Sequence, residues 1–579
     1  MERKKMRSAM PIGVDDFSEL ITKNYCFVDK TRFIQEILDG HSKVTLITRP
    51  RRFGKTLNLS MLRYFFSIEN GAKNRELFVG LDIERAGEKY MAQQGSRPVV
   101  FLSLKEIQGP DYALMQESMQ EMLRGLYGQF RYLLDSPALA EDDKLFFKRI
   151  IDKSANRGES QMSLKLLLFM LCKHHGREAV LLLDEYDAPI ISAWERGYYD
   201  ECIDFMRGFL SGALKTNEAL DFAVLTGVTR VSKESIFHQG VSDSHTAKAV
   251  APCLSGLNNL RVCSVLSERY SDIFGFTQEE ADRLLSMCGL EARSDDLKKW
   301  YDGYLFGSTE IYNPWSVISF IDNDCKFQPY WLNTSGNSIL KALLARIDAR
   351  KEADLLGLLK GKTLSTPIRE NIVYADLNSD RSNLYMLLLT AGYLKAVKTW
   401  KGEYYEDWVA LQIPNLEIRR AYSLEVMENI VPHQGQIVLM DMMEAMTAGR
   451  GEDFAKYLAE LLRDFVSFHD SSHNPESFYH GLLLGFSVWL EGRYRVVSNR
   501  ESGYGRFDIA FFPVKENLPG VILELKTVKE EAEMEETAQG ALGQIEEKDY
   551  PAELSRQGVR SVWKYGIAFC GKKMCLAQG

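Results

Sequence analysis

The chain has 579 residues, more than one hydrophobic core serves, and at about 150 residues per domain it predicts three or four units. Its 45% hydrophobic and 26% charged residues are ordinary for a soluble globular protein. Its net charge of −9 excludes a global pull toward nucleic acid or anionic membrane, so any nucleic-acid site must be a local basic patch. Nine dispersed cysteines without a CxxC pair predict reduced thiols and a cytoplasmic setting. No apolar run reaches the ~18 residues of a membrane span, and the basic start lacks the apolar segment of a signal peptide.

In chain order, residues 14–40 predict an entry segment and an amphipathic helix ending at Gly40. Short apolar strands follow at 43–48, 98–104, 179–187 and 221–228, with helical stretches between them, including one near 161–174. That alternation predicts a mostly parallel sheet covered on both faces. After about residue 255 the pattern turns helical, with a capping box at Thr277 and Glu280. The aromatic-rich stretch at 298–321 reads as a packed lid. Residues 333–398 read as mainly helical, and YLKAVKTW, a KGE turn and YYEDWVALQIP as a hairpin, together suggesting a winged helix. From 455 onward, a helix at 476–490, strands at 493–498, 506–513 and 520–527, a charged helix at 530–548 and a last strand give the order αβββαβ. The expected division is a P-loop domain at 1–250, a lid-like region at 251–345, a helical linker with a winged helix at 346–454, and a nuclease-like domain at 455–579.

Two constellations carry chemistry. The first is RPRRFGKT at 49–56, following a buried strand and opening a helix. A Walker A loop reads GxxxxGK[ST]: its backbone N–H groups approach phosphates, its lysine reaches the β/γ oxygens and its hydroxyl faces magnesium. Gly54, Lys55 and Thr56 fit, while Arg49 replaces the first glycine and Pro50, Arg51, Arg52 and Phe53 fill the loop. In AVLLLDEYD, Asp184 ends a strand as a Walker B carboxylate and Glu185 is placed to polarise the attacking water. Thr226 is read as a γ-phosphate sensor, and Arg230 as a neutralising residue or one acting across a subunit contact. A bare GK[ST] also arises from composition, and Asp184 and Glu185 also read as ordinary strand-end charges. The expected ligands here are ATP and Mg²⁺.

The second constellation is Asp508 on one strand and Glu524-Leu525-Lys526 on the next. Residues two apart share a strand face, so Glu524 and Lys526 project together. Two carboxylates and a lysine at the ends of buried strands suit a divalent metal, Mg²⁺ or Mn²⁺, beside a scissile phosphate. Glu476 is a further metal-ligand candidate, Gln544 a bracing residue and Arg506 a phosphate contact, while Tyr479 and His480 are weaker candidates. The competing reading is a cross-strand ion network in which the three charges satisfy one another.

These stretches resemble a known family. The first ~240 residues are similar to the bacterial AAA-ATPase-like proteins, through VDKT (28–31), RPRRFGKT (49–56) and LLLDEYDAPI (181–190). SGLNNL (255–260), KKWYDGY (298–304) and IYNPWSV (311–317) extend the likeness. The C-terminus resembles the PD-(D/E)xK nuclease superfamily, through ESFYHGLLLG (476–485), SNRESGYGRFDI (498–509), ILELK (522–526) and GQIEEKDY (543–550). The resemblance places Arg49 within its family's loop pattern and maps Asp508, Glu524 and Lys526 onto the nuclease core. It implies an ATPase coupled to a nuclease acting on nucleic acid, DNA above all, with a homo-oligomer as a further expectation. The alternatives are an ATP-driven switch whose nuclease fold only docks a partner, and a winged-helix DNA-binding regulator centred on 382–415.

Overall fold

The computed structural model describes residues 9–231, 260–331, 354–422, 433–465 and 475–579, apart from positions 356, 360, 370–373, 375–376, 378–379, 404, 491–492, 503–504 and 516. The chain forms two compact units. The first holds residues 1–336 and 365–417; the second holds 337–364 and 418–579.

The first unit is built on a five-stranded sheet. Its strands are β1 (Val44–Thr48), β2 (Val99–Ser103), β3 (Ala179–Asp184), β4 (Leu220–Gly227) and β5 (Leu260–Cys263). They run parallel in the order β2-β3-β4-β1-β5. β1 and β3 are buried at every position, the near-continuous apolar run expected of a strand covered on both faces. Sequence places β2 between the two Walker strands, but in space β4 separates them, pairing with β1 on one side and β3 on the other.

Helix Lys55–Phe66 follows β1 directly, and helix Arg157–His175 leads into β3. Helix Gln278–Cys288 begins with the expected capping box, Thr277 and Glu280 each bonding the other's backbone N–H. The aromatic stretch forms helix Ser294–Tyr301, a short hairpin of β6 (Tyr304–Phe306) and β7 (Thr309–Ile311), and helix Pro314–Asp322. Helix Arg381–Ala391 follows β8 (Leu364–Pro367) and precedes β9 (Lys395–Lys401) and β10 (Asp407–Gln412); the three strands form one sheet, in which β9 and β10 make the expected hairpin. Residues 333–353, the start of the 333–398 stretch expected to be mainly helical, lie outside the described residues, as does SGLNNL except for Leu260.

The second unit has a mixed sheet, β11 (Tyr494–Ser502), β12 (Gly505–Pro513), β13 (Gly520–Thr527), β14 (Val562–Cys570) and β15 (Lys573–Gln578), in sequential order. β13 and β14 are parallel, joined through helices Met534–Glu547 and Pro551–Arg556; the other neighbours are antiparallel. Helices His433–Thr447, Gly451–Phe465 and Pro475–Phe486 cover one face. Leu439, Met442, Met446, Leu458 and Leu482 share a single core there with Leu523, Leu525 and Ile567. Among the described residues, no helix is long and apolar enough to cross a membrane.

Candidate active sites

Gly54 sits in the left-handed region (φ 77°) as the N-cap of helix Lys55–Phe66, the conformation the loop needs to turn its N–H groups toward an anion. The Lys55 ammonium is buried and donates to two carbonyls of its own loop, Arg49 (2.9 Å) and Pro50 (2.8 Å). Burial lowers its pKa, against the opposing charges of Glu185 and Asp184. The Thr56 hydroxyl donates to Oδ2 of Asp184 (2.7 Å), and Thr226 donates to Oδ1. The two Walker elements and the end of β4 thus meet at one carboxylate. A hydroxyl beside a buried carboxylate is the hard oxygen donor set that suits Mg²⁺. Glu185 adopts a positive φ (48°), and burial raises its pKa while the charge of Lys55 opposes the rise. Arg230 follows β4 and is half-buried.

The loop's other side chains anchor it. Arg49, assigned to the nucleotide by sequence, is turned inward instead. It is fully buried, and its guanidinium donates to the carbonyls of Thr48 (2.9 Å), Cys263 (3.0 Å) and Tyr270 (3.1 Å). It lies over the Phe306 ring at 4.9 Å, and burial lowers its pKa to about 10. Phe53 packs edge-on to Tyr304 (4.9 Å between centroids). Arg52 (φ 70°) lies 4.3 Å over the Trp315 ring, and Trp331 Nε1 donates to the Arg51 carbonyl (3.3 Å). Glu417 steadies this mount from behind. It is fully buried, accepts from the Ser316 hydroxyl (2.8 Å) and the Trp331 N–H (2.9 Å), and burial pushes its pKa up to about 8.

Sequence reasoning also missed Asp187 and Tyr186. Buried Asp187 accepts from the N–H groups of Val228 (2.9 Å) and Thr229 (2.7 Å), and the Tyr186 hydroxyl donates to the Thr229 carbonyl (2.8 Å). The signal was the second aspartate in DEYD, which pins the chain leaving β4.

In the second unit, Asp508, Glu524, Lys526 and Gln544 come together. Asp508 Oδ2 accepts the Leu525 N–H (2.8 Å), fixing β12 against β13 beside Glu524. Glu524 is 2% exposed. Its Oε1 accepts from Lys526 Nζ (2.8 Å) and Gln544 Nε2, whereas its Oε2 is buried without a donor. Burial, then the charge of Asp508, pushes its pKa up to about 7. Burial pulls Lys526 down, but the hydrogen bond and charge of Glu524, with Asp508 and Glu476, outweigh it and raise its pKa. Gly566 lies opposite Glu524 on β14, where a Cβ would stand 2.3 Å from the Ala538 carbonyl oxygen. Only glycine lets helix Met534–Glu547 approach that closely, and Gln544 reaches Glu524 from that helix. Tyr550, a brace that sequence reasoning missed, accepts from the Gln544 amide (3.0 Å).

Glu476 is exposed in the first turn of helix Pro475–Phe486. Tyr479 and His480 serve the frame: Tyr479 stacks on Phe569 (3.9 Å) and bonds the Gly571 carbonyl, and His480 Nε2 lies 3.1 Å from the Asp508 carbonyl oxygen. Arg506 is on β12, with its side chain outside the described part. An ion network alone does not account for this cluster, because it leaves Glu524 Oε2 as a bare acceptor with Asp508 beside it. That donor set suits a hard divalent cation. The described side chains nevertheless form no ready-made cluster of three or more metal-ligating groups.

The fold and these sites define a P-loop nucleotide-binding unit joined to a nuclease-type unit. Residues 11–237 match the AAA-ATPase-like family, described as predicted AAA-ATPase, and residues 474–578 match the PD-(D/E)XK nuclease superfamily. The two matches cover separate stretches of the chain. It is also 25% identical, over 96% of its own length and 95% of the other, to an uncharacterized protein in the vnfD 5′ region of Azotobacter chroococcum mcd 1. No solved structure matches it.

Proposed function

We propose that the chain is an ATPase coupled to a divalent-metal-dependent nuclease that hydrolyses phosphodiester bonds in DNA, in the cytoplasm. The observation that carries this reading is the unpaired Oε2 of Glu524, held next to Asp508 and Lys526 in a PD-(D/E)XK domain. Asp508 and Glu524, with Glu476 at the rim, would hold Mg²⁺ or Mn²⁺, whose chemistry there would be activation of water and neutralisation of charge on the phosphate. Lys526 steadies the developing charge, and Gln544 fixes Glu524 in register. In the other unit the loop N–H groups and Lys55 take the phosphates of ATP, and Thr56 and Asp184 hold its Mg²⁺. Glu185 orients the attacking water, Thr226 reports on the γ-phosphate, and Arg230 neutralises it or reaches a neighbouring copy in a homo-oligomer.

The test is supercoiled plasmid with Mg²⁺ or Mn²⁺, with and without ATP. Cleavage by the native chain and none by Asp508→Ala is the expected result. Lys55→Ala should weaken ATP binding at least 10-fold, the scale of a lost charged hydrogen-bond partner, and should remove any ATP dependence of cleavage. Equal cleavage by Asp508→Ala would sink the nuclease assignment, and unchanged ATP affinity in folded Lys55→Ala would sink the nucleotide site.

A further inference from the structure

After β3 the chain reads Glu185-Tyr186-Asp187, and the last two of these side chains serve a different strand. Asp184 faces Thr56 and Thr226, whereas Tyr186 and Asp187, past the positive φ of Glu185, reach the exit of β4. The sheet holds β4 as far as Gly227. The Gly227 carbonyl accepts the Arg49 N–H (3.1 Å), and the Thr226 carbonyl accepts the Tyr186 N–H (3.0 Å). Beyond that point neither neighbour continues, because β1 stops at Thr48 and β3 at Asp184.

Val228 and Thr229 are buried there, and a buried N–H without an acceptor is costly. Oδ2 of Asp187 takes both N–H groups, at 2.9 and 2.7 Å, and the Thr229 hydroxyl at 3.0 Å. That hydroxyl has one proton and gives it to Asp187, so the tyrosine donates the 3.0 Å bond between Thr229 and buried Tyr374. Tyr186 completes the grip around Arg230. Its hydroxyl donates to the Thr229 carbonyl (2.8 Å) and accepts the Val231 N–H (3.0 Å), so both flanks of Arg230 hang from one oxygen. Gly227 lets these groups close in: a Cβ there would stand 2.7 Å from Asp187 Oδ1 and 2.8 Å from the Tyr186 ring.

Asp187 and Tyr186 are both buried, and Asp187 Oδ2 already carries three donors. Residues so enclosed act on a ligand through what they hold. They hold the segment that runs from Thr226, bonded to Asp184, to Arg230. We infer that Asp187, with Tyr186, is a positioning residue for ATP hydrolysis: it fixes the exit of β4 so that Thr226 and Arg230 are in place for the γ-phosphate. This inference rests on the nucleotide reading above and adds to it the part that sets those two residues. A packing role alone would lower ATP binding and turnover together, whereas a positioning role lowers turnover and spares binding.

The experiment is steady-state ATP hydrolysis by the full chain with Mg²⁺. Calorimetry with a non-hydrolysable ATP analogue gives the affinity of each variant. Asp187→Ala should lower kcat about 10- to 100-fold, the scale of a reacting group displaced by an ångström, at native analogue affinity. Asp187→Asn keeps a carbonyl oxygen for the same donors and should recover most of that loss. Tyr186→Phe releases both flanks of Arg230 and leaves Asp187 intact. It should also lower kcat at native affinity, and it covers the case where Asp187→Ala fails to fold. In an Arg230→Ala background, Asp187→Ala should cost less than in the native chain, because one residue it sets is gone. Native kcat in folded Asp187→Ala and Tyr186→Phe would overturn the inference and leave an ATP-hydrolysing native chain intact. A parallel loss of kcat and analogue affinity would overturn it too, as would Asp187→Asn being as slow as Asp187→Ala. A native chain that binds no analogue, or binds it and releases no phosphate from ATP, would overturn the nucleotide reading and the inference together.

Discussion

Glu524 shows how one residue can be costly to the fold and useful to the site. A buried carboxylate oxygen without a donor is destabilising. Its folded-state pKa of about 7 lies above the ordinary 4.5, so between those values the folded chain holds a proton that the unfolded chain has released. Stability from this group therefore falls as pH rises from about 4.5 to 7, and the penalty is full above 7. Glu524→Gln should relieve it in EDTA at pH 8 by up to about 3 kcal/mol, at 1.36 kcal/mol per pKa unit. At pH 5 the gain should shrink below about 1 kcal/mol. Urea denaturation at the two pH values checks this, and an equal gain at both would show that the carboxylate carries no such strain. The same variant should lose Mn²⁺ binding. The grouping of Glu524 with Lys526 was legible in sequence because residues two apart on a strand share a face. Tyr550 was not, since its role depends on a helix–strand approach that Gly566 permits and no local pattern announces.

At the scale of elements, the P-loop is a mounted part. Sequence predicted β1, β3 and β4 well, because a strand buried on both faces writes itself as an unbroken apolar run. It missed β5 and β15, edge strands in which buried and accessible positions mix, as in Leu260–Cys263. It also assigned Arg49 to the nucleotide, since a replaced glycine in a phosphate loop reads as a ligand contact. The structure gives its guanidinium to the carbonyls of Thr48, Cys263 and Tyr270, the last two more than 200 positions away. The aromatic stretch, read as a packed lid, supplies rings for that mount: Tyr304, Phe306 and Trp315. Trp331→Phe keeps a ring against Tyr393 but removes the bond to the Arg51 carbonyl. It should cost about 1 kcal/mol in thermal stability and weaken ATP binding several-fold by calorimetry. A loss of stability with ATP affinity unchanged would separate the mount from the nucleotide site.

At the scale of the molecule, the nuclease-type sheet does not stand on residues 455–579 alone. Leu439, Met442 and Met446 of helix His433–Thr447 lie in the same core as Leu523 and Ile567, and the Tyr565 hydroxyl donates to the Met446 carbonyl (2.9 Å). A fragment of residues 455–579 uncovers that face, and truncating several large core side chains at ~2–5 kcal/mol each exceeds the stability of an ordinary domain. It should be insoluble or lack a cooperative melt by circular dichroism, whereas the second unit whole, 337–364 joined to 418–579, should melt cooperatively. A well-folded 455–579 fragment would show that the helix is dispensable.

The division of the chain has a consequence for its synthesis. The first unit closes only with residues 365–417, after the chain has already supplied 337–364 to the second unit. Its last residue, Glu417, is the buried carboxylate that holds Ser316 and Trp331 behind the phosphate loop. A ribosome must therefore release nearly three-quarters of the polypeptide before the ATP site can be finished. Domains of a nascent chain usually mature in order from the N-terminus. Here the N-terminal site has to wait for a part delivered late, and a message truncated before codon 417 yields a loop without its support.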